Sequence, residues 1–311
     1  MPVPNFFIIG AQKCGTDALY YVLKHHPDIF MSPEKEPSFF MMEGVLPGFR
    51  HPSPGYTRRL VAEWDRYLDL FMDAGAKRAI GEASAIYLSS YYPERTAARI
   101  RERISHAKII ALLRQPADRA YSAFQFYHAR EIEPIADFAQ ALAAELGRFD
   151  SESPDIRHRS NGYYYANLKP HYDCFPSEQI RVYLHEEWNS NPGSVLREIF
   201  RFLEIGESVR VVVERRNVTT RYKSKRVRRL LINPNRAERW IKRLLPGWLL
   251  QQLRDWNELA PPPFPNDLRR ELTEGYRDDI LKLQELIGKD LSRWMVDSAT
   301  PSSVGAGEVQ P

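Results

Sequence analysis

The segment Gly10-Ala-Gln-Lys-Cys-Gly-Thr16 places two glycines, a lysine and a threonine within one short turn. Between a strand and a helix, such a turn aims several backbone N–H groups and the positive end of the helix dipole at one point, which suits a phosphate. Gly10 and Gly15 let the backbone approach an anion closely, Lys13 adds a full positive charge, and Thr16 adds a hydroxyl. The residue order matters. A nucleoside-triphosphate loop places its lysine directly before Ser or Thr, as G-x-x-x-x-G-K-[ST]. Here Lys13 precedes the second glycine, and no acidic strand suited to Mg²⁺ follows. On its own the loop is read equally well as a plain glycine turn. A P-loop kinase or NTPase, and a nucleotide-binding protein without catalysis, stand as the alternative functions.

A second cation comes with a similar local pattern. Leu112-Leu-Arg-Gln-Pro-Ala-Asp-Arg-Ala-Tyr-Ser122 reads as a strand end, a turn and a helix start. Arg114 offers a planar fork of donors suited to bidentate phosphate contact, and Ser122 supplies a hydroxyl farther along. Alone, these are a surface arginine and a surface serine. Paired with the first loop, the phosphate-contact reading is the stronger one. A late basic stretch holds Arg215, Arg216, Arg221, Lys223, Lys225, Arg226, Arg228 and Arg229. Arg228 and Arg229 fit a solvated helix face. Stacking aromatics are few there, so no nucleic-acid partner is expected.

These residues need a scaffold. Residues 6–10 form a short apolar run ending in glycine, the pattern of a buried strand, and residues 16–25 carry Ala18, Leu19, Val22 and Leu23 at helical spacing up to Pro27. Residues 79–82, 108–113 and 180–184 read as further strands, and residues 93–104, 118–130, 138–146, 164–175 and 192–203 as helices. Residues 41–56 and 147–161 read as loops, and residues 268–286 as one amphipathic helix. Strands alternating with helices predict an α/β fold: a P-loop-like three-layer α/β/α arrangement around a central parallel sheet. One domain over residues 1–298 with a disordered tail at 299–311 is expected. Residues 236–256 mix basic residues with Trp240, Leu244 and Trp248. They are read as helices packing on the core, with a peripheral membrane contact or a cover over the acceptor as the alternative.

Bulk properties narrow the class. Hydrophobic residues make up 43% and charged residues 27%, with a net charge of +4, which fits a soluble protein with local anion sites. No apolar run is long enough for a transmembrane helix. Only Cys14 and Cys174 are present, so a reducing, cytoplasmic setting is the default.

Phe7-Ile-Ile-Gly-Ala-Gln-Lys-Cys-Gly-Thr-Asp-Ala-Leu19 resembles the 5′-phosphosulfate-binding loop of sulfotransferases that use 3′-phosphoadenosine-5′-phosphosulfate (PAPS). The likeness is to the Golgi-type carbohydrate branch, such as heparan sulfate sulfotransferases, and its bacterial relatives. His26-Pro27-Asp28-Ile29, the Arg114–Ser122 segment, Gly162-Tyr-Tyr164, Tyr183-Leu-His-Glu-Glu187 and Leu286-Ile-Gly-Lys-Asp-Leu-Ser-Arg-Trp294 extend it over nearly the whole chain. The first two loops are its specific parts. The resemblance implies the sulfotransferase fold, PAPS as donor and no metal. It implies a donor site made by Lys13, Cys14, Gly15, Thr16, Asp17 and Ala18 at one end and Arg114 and Ser122 at the other. Tyr164, Arg221, Lys223, Ser224 and Lys225 join them, the last four in a basic loop over the 3′-phosphate and adenosine.

The resemblance also implies the chemistry. Lys13 stabilises the bridging oxygen as the sulfuryl group moves in line to a hydroxyl of a glycan, lipid or small-molecule acceptor. In Glu34-Lys-Glu-Pro-Ser-Phe-Phe40, Glu36 takes the place of the family's catalytic glutamate, and Ser38 stands where some members have histidine. Glu36 is therefore the expected base, against the plainer reading that it pairs with Lys35. In Gly81-Glu-Ala-Ser-Ala-Ile-Tyr87, Ala83 replaces the heparan branch's lysine, which argues for a different acceptor geometry. Glu82 is the second candidate base. Cys14 as a nucleophile is disfavoured, because direct transfer needs no covalent intermediate.

Overall fold

A computed structural model describes residues 1–43, 61–89, 93–148, 156–206, 221–232 and 236–296. The central sheet has five parallel strands: β1 (Phe6–Gly10), β2 (Ile29–Met31), β3 (Ala79–Ala83), β4 (Lys108–Leu113) and β5 (Ile180–Leu184). Their spatial order is β2-β3-β1-β4-β5. β1 and β3 are buried at every position, and β4 at every position after Lys108. Strands of this kind are covered on both faces, which is why they read as continuous apolar runs rather than alternating ones. The expected three-layer α/β/α architecture is what the chain adopts.

The topology decides where a ligand goes. From β1 the chain runs outward to β2 and β3 on one side, and then crosses to β4 on the other. The strand order thus reverses between β1 and β4, and in open α/β sheets ligands bind outside the carboxyl ends of strands at such a point. The two motifs identified in the sequence follow β1 and β4. They are therefore neighbours, about 4.8 Å apart at strand spacing. Backbone pairing carries past the strand end, with Ala11 N–H donating to Leu112 O at 2.7 Å.

Two sequence expectations are corrected and one strand is added. β2 was not anticipated; three residues are too few to show a periodicity. Residues 268–286 form two helices, Asn266–Gly275 and Arg277–Ile287, rather than one. Gly275 is a poor helix former, and the break lets Tyr276 bury its ring, with its hydroxyl donating to Arg159 O at 2.8 Å. Residues 236–256 do form the helices Arg236–Leu244 and Gly247–Asn257, but Trp240, Leu244 and Trp248 do not pack on the core: they are 69%, 82% and 64% exposed. Residues 44–60, most of the first expected loop, and residues 297–311, which include the expected tail, lie outside the described residues.

Candidate active site

The phosphate loop leaves β1 at Gly10 and enters the helix Thr16–Lys24 at Gly15. Gly15 has φ +97, a left-handed conformation that glycine adopts at little cost. A Cβ there would meet His185 Cδ2 and Trp188 Cδ1 at 3.5 Å, so the helix His185–Ser190 after β5 closes against this turn. At Gly10 a Cβ would stand 2.6 Å from that of Leu88. Packing requires glycine at position 10, and the left-handed backbone favours it at position 15. Thr16, Asp17 and Ala18 form the first turn of the helix, where backbone N–H groups lack intrahelical acceptors.

Lys13 lies with Nζ 3.8 Å from the Phe126 ring centroid, and the Arg130 guanidinium carbon lies 3.4 Å from the same centroid. Burial pushes the Lys13 ammonium down to about 8; Arg130 and, more weakly, Arg114 push the same way, while Asp17 opposes them. Two other cations thus press on Lys13, and an anion bound beside it would offset that repulsion. The residues present fit the phosphosulfate end of a nucleotide.

Arg114 follows β4, and its loop is held from behind. Gln115 caps the next helix, Pro116–His128, by accepting from Asp118 N–H at 2.7 Å, while its Nε2 donates to Thr273 Oγ1 at 2.9 Å and Trp294 O at 3.2 Å. Ser122 is on that helix, half-buried. Burial pushes His185 down to about 4; the Arg114 charge pushes the same way and Asp118 opposes them. His185 is therefore neutral at ordinary pH and adds no charge.

Tyr164 joins the two loops. It is fully buried at the start of the helix Tyr164–Cys174, its hydroxyl 3.7 Å from Cys14 Sγ and hydrogen-bonded to the Arg114 backbone. Asp279 holds that helix start by accepting from Tyr165 N–H at 2.9 Å. Burial pushes the Cys14 thiol up to about 11, opposed by Arg119 and Tyr164. Cys14 is a protonated packing residue here, in keeping with direct transfer.

The two candidate bases differ sharply. Glu82, on β3, is 0% exposed and accepts from the hydroxyls of Tyr67 and Tyr87 at 2.8 Å each and of Ser84 at 2.7 Å. Burial lifts it to about 7, the three hydroxyl bonds oppose that, and the charge of Glu36 adds to it. No acceptor can reach a carboxylate so enclosed. The Glu36 side chain is 20% exposed and lies 3.4 Å from Lys35 Nζ. Lys35 is also ion-paired with Asp17. The pairing with Lys35 is thus real, and it places Glu36 beside the phosphate loop.

The late basic segment is only partly described. Residues 207–220 lie outside the described residues. Arg221 opens the two-residue strand β6 (Arg221–Tyr222), which pairs with β7 (Glu258–Leu259), and Lys225 opens the helix Lys225–Ile232. Ser224 N–H donates to Asn257 Oδ1 at 2.7 Å, and Lys223 lies over Trp256. Among the described residues, Lys223 and Ser224 are held by Asn257 and Trp256 rather than by the phosphate loop.

Sequence reasoning missed Lys35, Phe126 and Arg130. A signal existed for the last two: Ser122, Phe126 and Arg130 recur every four residues, which is one helix face. Lys35 was seen only as a partner for Glu36, because its second bond, to Asp17, spans separate elements.

Residues 3–229 match the family model described as a sulfotransferase domain. The chain belongs to the sulfotransferase family. A crystal structure of a sulfotransferase from Alicyclobacillus acidocaldarius is 31% identical, covers 94% of this chain and 99% of that one, and superposes with a TM-score of 0.75. The bifunctional heparan sulfate N-deacetylase/N-sulfotransferase 2 of Homo sapiens is 32% identical over 219 residues, 65% of this chain. The N-deacetylase/N-sulfotransferase 4 of Mus musculus is 27% identical over 308 residues, 94% of this chain. The chain spans 22% and 31% of the lengths of these two relatives. The family's match begins at residue 3 and so takes in both the turn around Lys13 and the loop at Arg114.

Proposed function

We propose that this sulfotransferase takes its sulfuryl group from PAPS and delivers it to a hydroxyl of a glycan, lipid or small molecule. The observation that carries this reading is the meeting of Lys13 and Arg114 at the carboxyl ends of adjacent parallel strands, β1 and β4. One cation suits the phosphosulfate and the other the 3′-phosphate of the same nucleotide. Bound PAPS supplies an activated sulfur whose bond to the phosphate oxygen breaks as the acceptor oxygen attacks in line. Lys13 neutralises charge on the departing oxygen. Arg114 and Ser122 fix the distant phosphate, and the first turn at Thr16, Asp17 and Ala18 offers its N–H groups. Glu36 takes the acceptor's proton, so adenosine 3′,5′-bisphosphate leaves and the acceptor becomes a sulfate ester.

The test is transfer of ³⁵S from labelled PAPS to an acceptor panel of heparan sulfate, a partly N-deacetylated form of it, simple phenols, sterols and glycolipids. A labelled hydroxyl product supports the reading. Label on the amines of the N-deacetylated chain alone, as the names of the N-sulfotransferase relatives suggest, would replace the hydroxyl by nitrogen. Label on none of them would leave a nucleotide-binding protein.

A peripheral membrane contact is part of this proposal. It is supported by exposed Trp240, Leu244 and Trp248 beside exposed Arg239 and Arg243. Sedimentation with phosphatidylcholine vesicles, with and without phosphatidylserine, tests it. The two cysteines are unpaired, which supports a reducing, cytoplasmic setting.

A further inference from the structure

We infer that Glu82 is a positioning residue for the transfer: through two hydroxyl relays, its buried carboxylate fixes the backbone that carries Glu36. This rests on the reading of Glu36 as the base.

The first relay runs through Ser84. Its hydroxyl donates to Glu82 Oε2 at 2.7 Å and accepts from Ser38 N–H at 3.1 Å. The second runs through Tyr87. Its hydroxyl donates to Glu82 Oε1 at 2.8 Å and accepts from Phe40 N–H at 3.3 Å. Both relays end on backbone amides just after Glu36, and Tyr67 donates to the same Oε1 at 2.8 Å. Above about pH 7, where Glu82 is ionised, its carboxylate only accepts, so it sets the direction of every hydroxyl around it. Each hydroxyl must then turn its lone pair outward to the amide.

The clamped segment needs such support. Ser38 has φ +56, a left-handed conformation that is unfavourable for a non-glycine residue. Its hydroxyl donates to Glu36 O at 3.3 Å, and Pro37 O accepts from Val61 N–H at 3.0 Å. Phe39 and Phe40 follow, wholly buried. The turn from Glu36 to Phe40 is thus pinned at both amides that face β3. β3 in turn pairs with β1, Glu82 lying opposite Phe7, three residues before Gly10. The carboxylate therefore registers the base against the strand that carries the phosphate loop.

An amide in place of the carboxylate reorganises the relays. The glutamine NH₂ is a donor, so either Ser84 or the tyrosines must accept from it, and the displaced O–H has to turn to another acceptor. A shift of about 1 Å in Glu36 is enough to cost on the order of 100-fold in rate.

The experiment is a double-mutant cycle with PAPS and the best acceptor of the panel above. Glu82→Gln is expected to lower kcat about 10- to 100-fold while KM for PAPS stays within about twofold, because uniform donor binding is untouched. In the Glu36→Gln background the same substitution should cost no further rate. Ser84→Ala, which leaves the carboxylate intact, should cost about tenfold in kcat and speed hydrogen exchange at the Ser38 amide. Thermal stabilisation by adenosine 3′,5′-bisphosphate reports that each variant is folded. An unchanged kcat in Glu82→Gln, or an equal loss in both backgrounds, overturns the positioning role alone. An unchanged kcat in Glu36→Gln overturns the base itself.

Discussion

Lys35 Nζ lies 3.4 Å from Glu36 Oε1, and its ammonium is at the same time ion-paired with Asp17 at the start of the helix after the phosphate loop. Burial alone would lower the Lys35 pKa, but the charges of Glu36 and Asp17 outweigh it and hold the ammonium above its usual range. One cation therefore links the expected base to the donor loop. Sequence distance hides this link, since Asp17 and Lys35 belong to different elements.

The first prediction concerns that link. Lys35→Met removes the tie without adding bulk. Adenosine 3′,5′-bisphosphate should still bind within about threefold, while kcat falls about 10- to 100-fold as Glu36 loses its placement. Steady-state kinetics beside calorimetric titration separate the two effects. A larger loss in bisphosphate affinity than in kcat would place Lys35 in the donor site instead.

Arg114 carries the second prediction. Bidentate guanidinium recognition is not reproduced by an ammonium. Arg114→Lys should weaken adenosine 3′,5′-bisphosphate about tenfold and Arg114→Ala about 100-fold. Neither should alter the affinity for adenosine 5′-phosphate, which lacks the group Arg114 holds. Parallel titrations with the two nucleotides decide it; equal losses for both would place Arg114 elsewhere on the ligand.

Cys14 and Tyr164 give the third. With its thiol near 11, Cys14 should resist thiol reagents at pH 8 in the folded protein. Cys14→Ala should retain transfer. Tyr164→Phe should cost about 1 kcal/mol in denaturant unfolding, because the hydroxyl between the two loops is lost. Rapid labelling of Cys14, or loss of transfer in Cys14→Ala, would restore the thiol as a reactive group.

The fourth follows from the electrostatics of Lys13. Its folded pKa, about 8, is below the usual lysine value, so the unfolded chain holds more protons between about 8 and 10.5. The charged form therefore strains the ligand-free fold below pH 8, and stability should rise with pH across that window. Lys13→Met should melt higher than the parent at pH 7 without ligand, yet gain less from adenosine 3′,5′-bisphosphate. In the parent, bisphosphate affinity should fall as pH rises through 8 and the ammonium is lost. A melting point lower than the parent's would show that Lys13 is a stabilising residue instead.

Much of the architecture was legible because buried parallel strands write themselves as unbroken apolar runs. Residues 6–10 and 108–113 are the clearest, and they are the two strands that carry the donor motifs. β2 was not legible at three residues, and the break at Gly275–Tyr276 depends on Tyr276 reaching Arg159 O, a contact no local pattern encodes. At the site, types and spacing pointed to Lys13, Gly15 and Arg114, and the family resemblance pointed to Glu36. The role of Glu82 was not legible, since an exposed base and an enclosed clamp have the same letter. Only the three hydroxyls around Glu82 separate them. The exposure of Trp240 and Leu244 was hidden for a similar reason: a helical apolar stripe looks the same whether it is covered or bare.

The central claim is that Lys13 and Arg114 hold the two ends of one bisphosphate nucleotide. Calorimetric titration of adenosine 3′,5′-bisphosphate, against ATP with Mg²⁺, into the parent protein and into Lys13→Ala and Arg114→Ala tests it most directly. The account predicts micromolar or tighter binding to the parent, a loss of at least about tenfold in each variant, and much weaker binding of ATP with Mg²⁺. Equal affinity of the parent and both variants for the bisphosphate, or a preference for ATP with Mg²⁺, would contradict it.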